Sequence, residues 1–353
     1  MADTLEIQRI AAVVSSAVIA LETEVLSALS LRPVSAAIAI AEVAILLQML
    51  NHLRDSCLAA ANSYDSCEHS VPLKLQDVVA TAIPNLVATA VPVLAAVASQ
   101  QASVIPGFSR ANVFADRKGT FSQVAPVNLP DLLARLQSTE HPQALLRVEQ
   151  VHTSSGAREF MVYVPGTRQM SFVPTNNPFN LTSAVSAIGA TGKAASERSV
   201  LLALNKAGIG SVKGDTVTLV GYSQGATIAA NIASRPQRFN VRGLVSIAGP
   251  ISARDLPPSL NVAALENSTD PVPWLDGSAN PASGNLVTAH IETPTGLNGH
   301  DLVGYGLDAK RIEASDAGFA AFKRKLQEIL QPNQGKAVTG AWYELTQNPW
   351  PKF

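Results

Sequence analysis

Thr216-Val-Thr-Leu-Val-Gly-Tyr-Ser-Gln-Gly-Ala226 joins an apolar run to a segment of small residues through a short glycine-containing turn. The apolar run predicts a buried strand, and the residues from Gln224 onward predict a helix. A Gly-x-Ser-x-Gly turn between a strand and a helix is typical of a nucleophilic serine in a strained conformation. We therefore expect Ser223 to be a nucleophile, with Gly221 and Gly225 avoiding clashes on either side. A chance glycine-serine turn is the alternative interpretation.

The same turn predicts where a developing oxyanion would be held. A helix that begins at Gln224 points its first amides toward the serine, so the Gln224 N–H can donate to the oxyanion. A second donor is expected in the loop Val164-Pro-Gly-Thr167, where Gly166 lets the backbone approach and the Thr167 N–H donates. A simple type II turn at Pro165-Gly166 is the alternative.

Strand and helix patterns alternate between residues 141 and 335. The last helix is expected to have Ser315 as its N-cap. Candidate strands cover 159–164, 216–220, 243–248, 262–265 and 286–291, and candidate helices cover 194–207 and 224–234. This alternation predicts a mostly parallel sheet with helices on both faces.

The general base should follow the last strand, because triads on such sheets occur in the chain order Ser, acid, His. Of six histidines, only His290 and His300 come late enough. His290 lies within the candidate strand 286–291, whereas His300 lies in a loop beyond its carboxyl end. Ligand sites of open parallel sheets collect at that end, so we favour His300.

The acid is expected on the loop after strand 262–265. Asp270 is the first aspartate past that strand and would fix the imidazole of His300. Asp276 and Glu266 are the rival candidates, and Asp301 is predicted to be a loop or helix-capping residue. The residues predict an acyl-enzyme cleared by water or, in an acyltransferase, by an alcohol. No metal or cofactor is predicted.

The region contains four motifs, namely Val164-Pro-Gly-Thr167, Gly221-Tyr-Ser-Gln-Gly225, Asp270-Pro-Val-Pro273 and Gly299-His-Asp301. Together they resemble the α/β hydrolases common in actinobacteria, and the second is also the nucleophile turn of cutinases. The resemblance implies an α/β-hydrolase fold and an esterase or lipase acting on a small-molecule ester or lipid. The chain departs from cutinases because it has no cysteines around the acid.

The chain changes composition sharply before this region, since the first of its 22 glycines is Gly107. Ala, Leu, Ile and Val-rich stretches predict an all-α helical bundle over 1–110, followed by a linker over 111–140 with a short helix near 132–136. The hydrolase domain is expected over 141–335, and a tail that could add an edge strand over 336–353.

The N-terminal part contains Tyr64-Asp-Ser-Cys-Glu68, which has the pattern Tyr-x-x-x-Asp/Glu. This pattern resembles the signal of the helical hairpins exported by type VII secretion, although Leu31-Arg-Pro-Val34 replaces their Trp-x-Gly turn. This resemblance implies export without a cleaved signal peptide and a helical partner, or self-association, through 1–110. A partner-binding module with a catalytically silent hydrolase domain is therefore the alternative function.

Charge and composition restrict the possible cellular locations and binding partners of the chain. Acidic residues at the start argue against a general secretory signal, so a cytoplasmic location and type VII-like export both stay open. The uncharged window 78–98 is interrupted by Pro84 and Pro92, which disfavours a spanning helix. A net charge of -1 argues against nucleic acid. Neither Cys57 nor Cys67 has a catalytic or metal-binding context, and whether they are bridged is open.

Overall fold

The computed structural model describes residues 111–348, apart from 155, 170–174, 191, 193, 271, 277–278, 282, 293–298 and 316–317. A single 3-10 turn spans Val272–Trp274. The strands and α-helices, numbered in chain order within these residues, are β1 (Asn112–Val124), α1 (Leu129–Gln137), β2 (Ala144–Val151), β3 (Glu159–Val164), α2 (Leu181–Ile188), α3 (Ala195–Lys206), β4 (Thr216–Tyr222), α4 (Gln224–Ala233), β5 (Asn240–Ile247), β6 (Asn261–Asn267), β7 (Leu286–Ile291), α5 (Leu302–Ala314), α6 (Ala320–Leu330) and β8 (Ala337–Asn348).

The eight strands form one sheet in the order β1-β8-β2-β3-β4-β5-β6-β7. Strands β3 to β7 run parallel, whereas β1, β8 and β2 add antiparallel pairs on one side. The predicted mostly parallel sheet is confirmed. Because parallel strands share a direction, the carboxyl ends of β3, β4, β6 and β7 all lie along one edge, which is where ligand sites of such sheets form.

Helices cover both faces of this sheet, as predicted. Successive side chains of a strand point to opposite faces, and in β3 Met161 and Tyr163 join one apolar cluster while Val162 and Val164 join the other. Helices α2, α3 and α4 contribute to the cluster of Val162, and α1, α5 and α6 to that of Tyr163. The central strands are buried on both sides, which explains why β4 has apolar residues on both faces, with Val217 and Leu219 in one cluster and Val220 and Tyr222 in the other.

The linker predicted over 111–140 is wrong for these residues. They contain β1, which pairs with β8 over its whole length, and α1, which includes the predicted short helix. Most side chains of β1 are at least partly exposed, so no alternating apolar pattern marks it as a strand. Its pairing with a segment more than 200 residues later is not visible locally.

Two further boundary predictions are corrected. Residues 337–348 form β8, but it lies between β1 and β2, so the expected edge position is wrong. Ser315 is not an N-cap: it ends α5, with its N–H donated to Ile312 O, and α6 begins only at Ala320. Helix α5 was not predicted, because Gly304 and Gly306 weaken its helical pattern.

Several predictions lie outside the described residues. They concern the helical bundle over 1–110, the two cysteines, the segment 64–68 and the uncharged window 78–98. Within the part of the chain that the structure describes, no helix combines the length and apolar character needed to cross a membrane.

Candidate active site

Ser223 lies between β4 and α4 in the strained backbone conformation that the motif predicts. Its φ of 54° and ψ of -123° are unusual for a residue with a side chain, and such strain costs about 1–3 kcal/mol. Backbone hydrogen bonds hold it: the Ser223 N–H donates to Ile247 O at 2.9 Å, and Ser223 O accepts the N–H groups of Ala226 at 3.0 Å and Thr227 at 3.3 Å. The turn therefore presents the serine at the carboxyl edge of the sheet.

The two motif glycines are required by close backbone approach. A Cβ at Gly221 would collide with the backbone of Gly225 and Ala226, and one at Gly225 would collide with the carbonyl oxygens of Val164 and Pro165. Helix α4 thus begins directly against both β4 and the end of β3. This contact brings the loop after β3 next to the serine.

Ser223, His300 and Asp270 form one continuous hydrogen-bonded row. The Nε2 of His300 lies 2.9 Å from the Oγ of Ser223, and its Nδ1 lies 2.8 Å from Oδ2 of Asp270. Asp270 and Ser223 are buried, whereas the imidazole is one-quarter exposed. The structure therefore brings together the three residues chosen as nucleophile, base and acid.

The rivals for the acid and the base lie elsewhere. Asp276 accepts hydrogen bonds from Ser252 Oγ at 2.7 Å and from the Ala253 N–H at 3.1 Å. His290 lies on β7 with its Nδ1 3.6 Å from Glu266, and more than half of its side chain is exposed. Burial, together with the charges of Asp276 and Asp270, raises the pKa of Glu266 to about 7.

The two predicted oxyanion donors flank the serine. A Cβ added at Gly166 would lie 3.3 Å from the Cβ of Ser223, so the loop that carries Thr167 passes next to the serine. Thr167 Oγ1 donates to Gln224 Oε1 at 3.1 Å, and Gln224 Nε2 donates to Ser196 Oγ at 3.0 Å. Among the described residues, no hydrogen bond uses the backbone N–H of Thr167 or Gln224. Both amides are available to a ligand.

Tyrosine side chains complete the site, and sequence reasoning missed them. Tyr222 stacks on the His300 ring with centroids 5.3 Å apart, and its hydroxyl donates to His300 O. Burial raises the pKa of Tyr222, so this phenol stays protonated. The Tyr305 hydroxyl of α5 donates to Oδ2 of Asp270 at 2.9 Å. Tyr222 lies inside the serine motif, but Tyr305 lies in a helix that the sequence did not predict.

The site lies at the edge where the parallel strands end. Thr167 follows β3, Ser223 follows β4, Asp270 follows β6 and His300 follows β7. Asp301 caps α5 by accepting the Gly304 N–H at 3.0 Å, as a capping residue was expected to do.

Within the described ranges, no group of three His, Cys, Asp or Glu side chains could hold a metal ion. Comparisons with known protein families, with curated proteins and with solved structures found no match to this chain.

Proposed function

We propose that this chain is a serine hydrolase of the α/β-hydrolase fold that cleaves a carboxylic ester through an acyl-enzyme. The observation that carries the proposal is the row Ser223–His300–Asp270, with 2.9 and 2.8 Å between successive polar atoms, on a strand-to-helix turn. The chain order Ser, acid, His and the position of the serine after a central parallel strand support the same fold.

In the proposed first step, Nε2 of His300 takes the Ser223 hydroxyl proton while Oγ forms a bond to the ester carbonyl carbon. The carbonyl oxygen becomes an oxyanion, which the N–H groups of Gln224 and Thr167 stabilise. The carbon–oxygen bond to the alcohol then breaks, and the imidazolium returns its proton to the departing alkoxide. Asp270 accepts the Nδ1–H of His300 throughout and remains ionised.

The second step reverses these roles with water. His300 takes a proton from a water molecule whose oxygen attacks the acyl carbon. The bond between that carbon and Oγ of Ser223 then breaks, and the imidazolium gives the proton to Oγ as the acid is released. An alcohol in place of water would give a new ester, which is the transferase reaction. Product analysis with and without added alcohol separates the two reactions.

Labelling with a fluorophosphonate probe tests the proposed function directly. Wild type should be labelled and should hydrolyse p-nitrophenyl esters, and Ser223→Ala should lose both properties. Ser199→Ala is the matched control, because Ser199 is also buried but its hydroxyl only donates to Ser196 O on α3. Folded wild type that is neither labelled nor active would refute the proposal. A panel of esters, thioesters and amides would then define the acyl group.

A further inference from the structure

Three hydrogen-bond donors surround the buried carboxylate of Asp270. Its Oδ1 accepts the Val272 N–H at 2.9 Å, and its Oδ2 accepts both the Nδ1–H of His300 at 2.8 Å and the Tyr305 hydroxyl at 2.9 Å. Tyr305 and His300 therefore bind the same oxygen. The hydrogen bond from the phenol reduces the negative charge on Oδ2, and this weakens the interaction of Oδ2 with the imidazole.

Tyr305 is held firmly in this position. It is 1 % exposed, and its hydroxyl oxygen also accepts the Asn267 N–H at 2.9 Å. That amide is at the end of β6, so the phenol connects helix α5 to the strand that carries the acid loop. Burial, followed by the charge of Asp270, raises the pKa of Tyr305. The phenol stays protonated, and the carboxylate is the acceptor toward which its proton points.

We infer that Tyr305 is a positioning residue that fixes Oδ2 of Asp270 and, by sharing its charge, sets the pH at which His300 gains its proton. The inference rests on the proposed function, because it assigns His300 the role of general base. A phenol donating to a carboxylate lowers the charge available to an adjacent imidazolium. Without this donor the imidazolium is more stable, and the base stays protonated to higher pH.

The experiment compares Tyr305→Phe with wild type across pH. The acid limb of the kcat/KM profile should move to higher pH by about half a unit. The shift is small because the lost hydrogen bond is to Asp270 and affects His300 only indirectly. The plateau should fall about tenfold through loss of carboxylate position. Substitution of 3-fluorotyrosine at position 305 provides a stronger donor of the same shape, so the limb should move downward.

Other ionisable groups near the pair are unchanged by these variants. Tyr222 faces His300 from β4, Asp301 at the start of α5 adds negative charge nearby, and Glu266 near the end of β6 has a pKa raised to about 7 by burial. Because they are common to wild type and variants, the difference between the profiles reports on Tyr305.

Tyr163→Phe is the matched control for loss of a buried phenol. Tyr163 is fully buried and its hydroxyl donates to a different carboxylate, Glu149 Oε2, at 3.3 Å. It should lower the melting temperature and leave the acid limb unmoved. If Tyr305→Phe lowers stability in the same way and its acid limb is unmoved or moves downward, the inference is wrong.

A measurement without turnover keeps this inference separate from the proposed function. With 15N-labelled histidine, the titration midpoint of His300, assigned by loss of its signals in His300→Gln, should shift in the same directions as the rate profile. If the protein proves unlabelled by fluorophosphonate and inactive on esters, the proposed function fails. The nuclear magnetic resonance titration then decides alone: an upward shift in Tyr305→Phe supports the coupling, and an unchanged or lower midpoint overturns it.

Discussion

The Nε of Arg168 donates a hydrogen bond to the backbone oxygen of Gly166, 3.2 Å away. The Gly166 carbonyl and the Thr167 N–H belong to one planar trans peptide unit, so they point in opposite directions. By holding the oxygen, Arg168 fixes the orientation of the peptide unit that carries the Thr167 N–H. Its guanidinium is itself held by Glu140 Oε1 at 2.7 Å.

We expect Arg168→Lys to lower kcat/KM about tenfold, less than the hundredfold or greater loss that follows removal of an oxyanion donor. Lysine keeps the charge beside Glu140 but lacks the Nε donor. Inhibition by an ester-derived phosphonate should weaken together with kcat/KM, because the bound phosphonate also places an oxygen in the oxyanion site. Glu140→Gln, which leaves Nε in place, should have a smaller effect. Unaltered kcat/KM in Arg168→Lys would show that the Gly166 contact does not orient the amide.

The acid assignment predicts opposite outcomes for two nearby aspartates. Asp270→Asn should reduce kcat by about a thousandfold or more, because the amide no longer fixes the tautomer of His300 or stabilises the imidazolium. Asp276→Asn should keep kcat close to wild type, since Asp276 accepts hydrogen bonds from Ser252 and Ala253, whereas Nδ1 of His300 is bound to Asp270. Steady-state kinetics on one ester checks both. Equal activity of Asp270→Asn and wild type would refute the assignment.

Gly225→Ala should disrupt both stability and the site. Its Cβ would meet the carbonyl oxygens of Val164 and Pro165, so α4 or the loop after β3 must move. We expect a loss of about 1–3 kcal/mol in the free energy of unfolding, typical of overpacking, together with loss of esterase activity. Chemical denaturation and ester hydrolysis measure the two effects. The control is Gly284→Ala, where the added methyl meets no atom within 4 Å; if both variants behave alike, close approach at Gly225 is unimportant.

Glu266 should make stability depend on pH. Its pKa in the folded protein is about 7, against 4.5 for the free side chain, because burial disfavours the charged form. The unfolded chain ionises first, so wild type loses stability as pH rises from about 4.5 to 7, and the loss then levels off. This loss in the free energy of unfolding is about 3 kcal/mol at most.

Comparison with Glu266→Gln checks this sign. The neutral amide keeps the shape and does not ionise, so the melting temperature of wild type relative to this variant should fall between pH 5 and pH 7. His290→Gln is a useful second variant, because it removes the imidazole that lies 3.6 Å from Glu266. A difference that is constant with pH would mean that Glu266 ionises in the folded protein as it does in the unfolded chain.

Much of the central sheet could be predicted because its signals are local. Strands buried on both faces carry apolar residues at successive positions, so β3 and β4 are visible as short, largely apolar runs. The turn at Ser223 was predicted because its glycines reflect steric demands that act within five residues. Chain order and loop position distinguished His300 from His290, although no local pattern fixes the distance from His300 to Ser223.

The antiparallel side of the sheet could not be predicted in this way. Strand β1 is largely exposed and polar, and it exists because β8 supplies its hydrogen bonds. Helix α5 contains two glycines and is stabilised by burial of residues such as Tyr305 and Ile312 in the apolar cluster that it shares with α1 and α6. Such packing depends on residues far apart in the chain, so propensity alone misjudged both elements.

The sequence by itself determined the strand-turn-helix around Ser223, because backbone sterics there allow only glycine at 221 and 225. It also restricted the candidate base and acid to a few residues through their order along the chain. Only the tertiary structure decided that Asp270, rather than Asp276, binds His300. It also decided that Tyr305 donates to the same carboxylate oxygen of Asp270 as His300. Those contacts depend on hydrogen-bond distances between separate elements, which are set by how the helices and strands pack together.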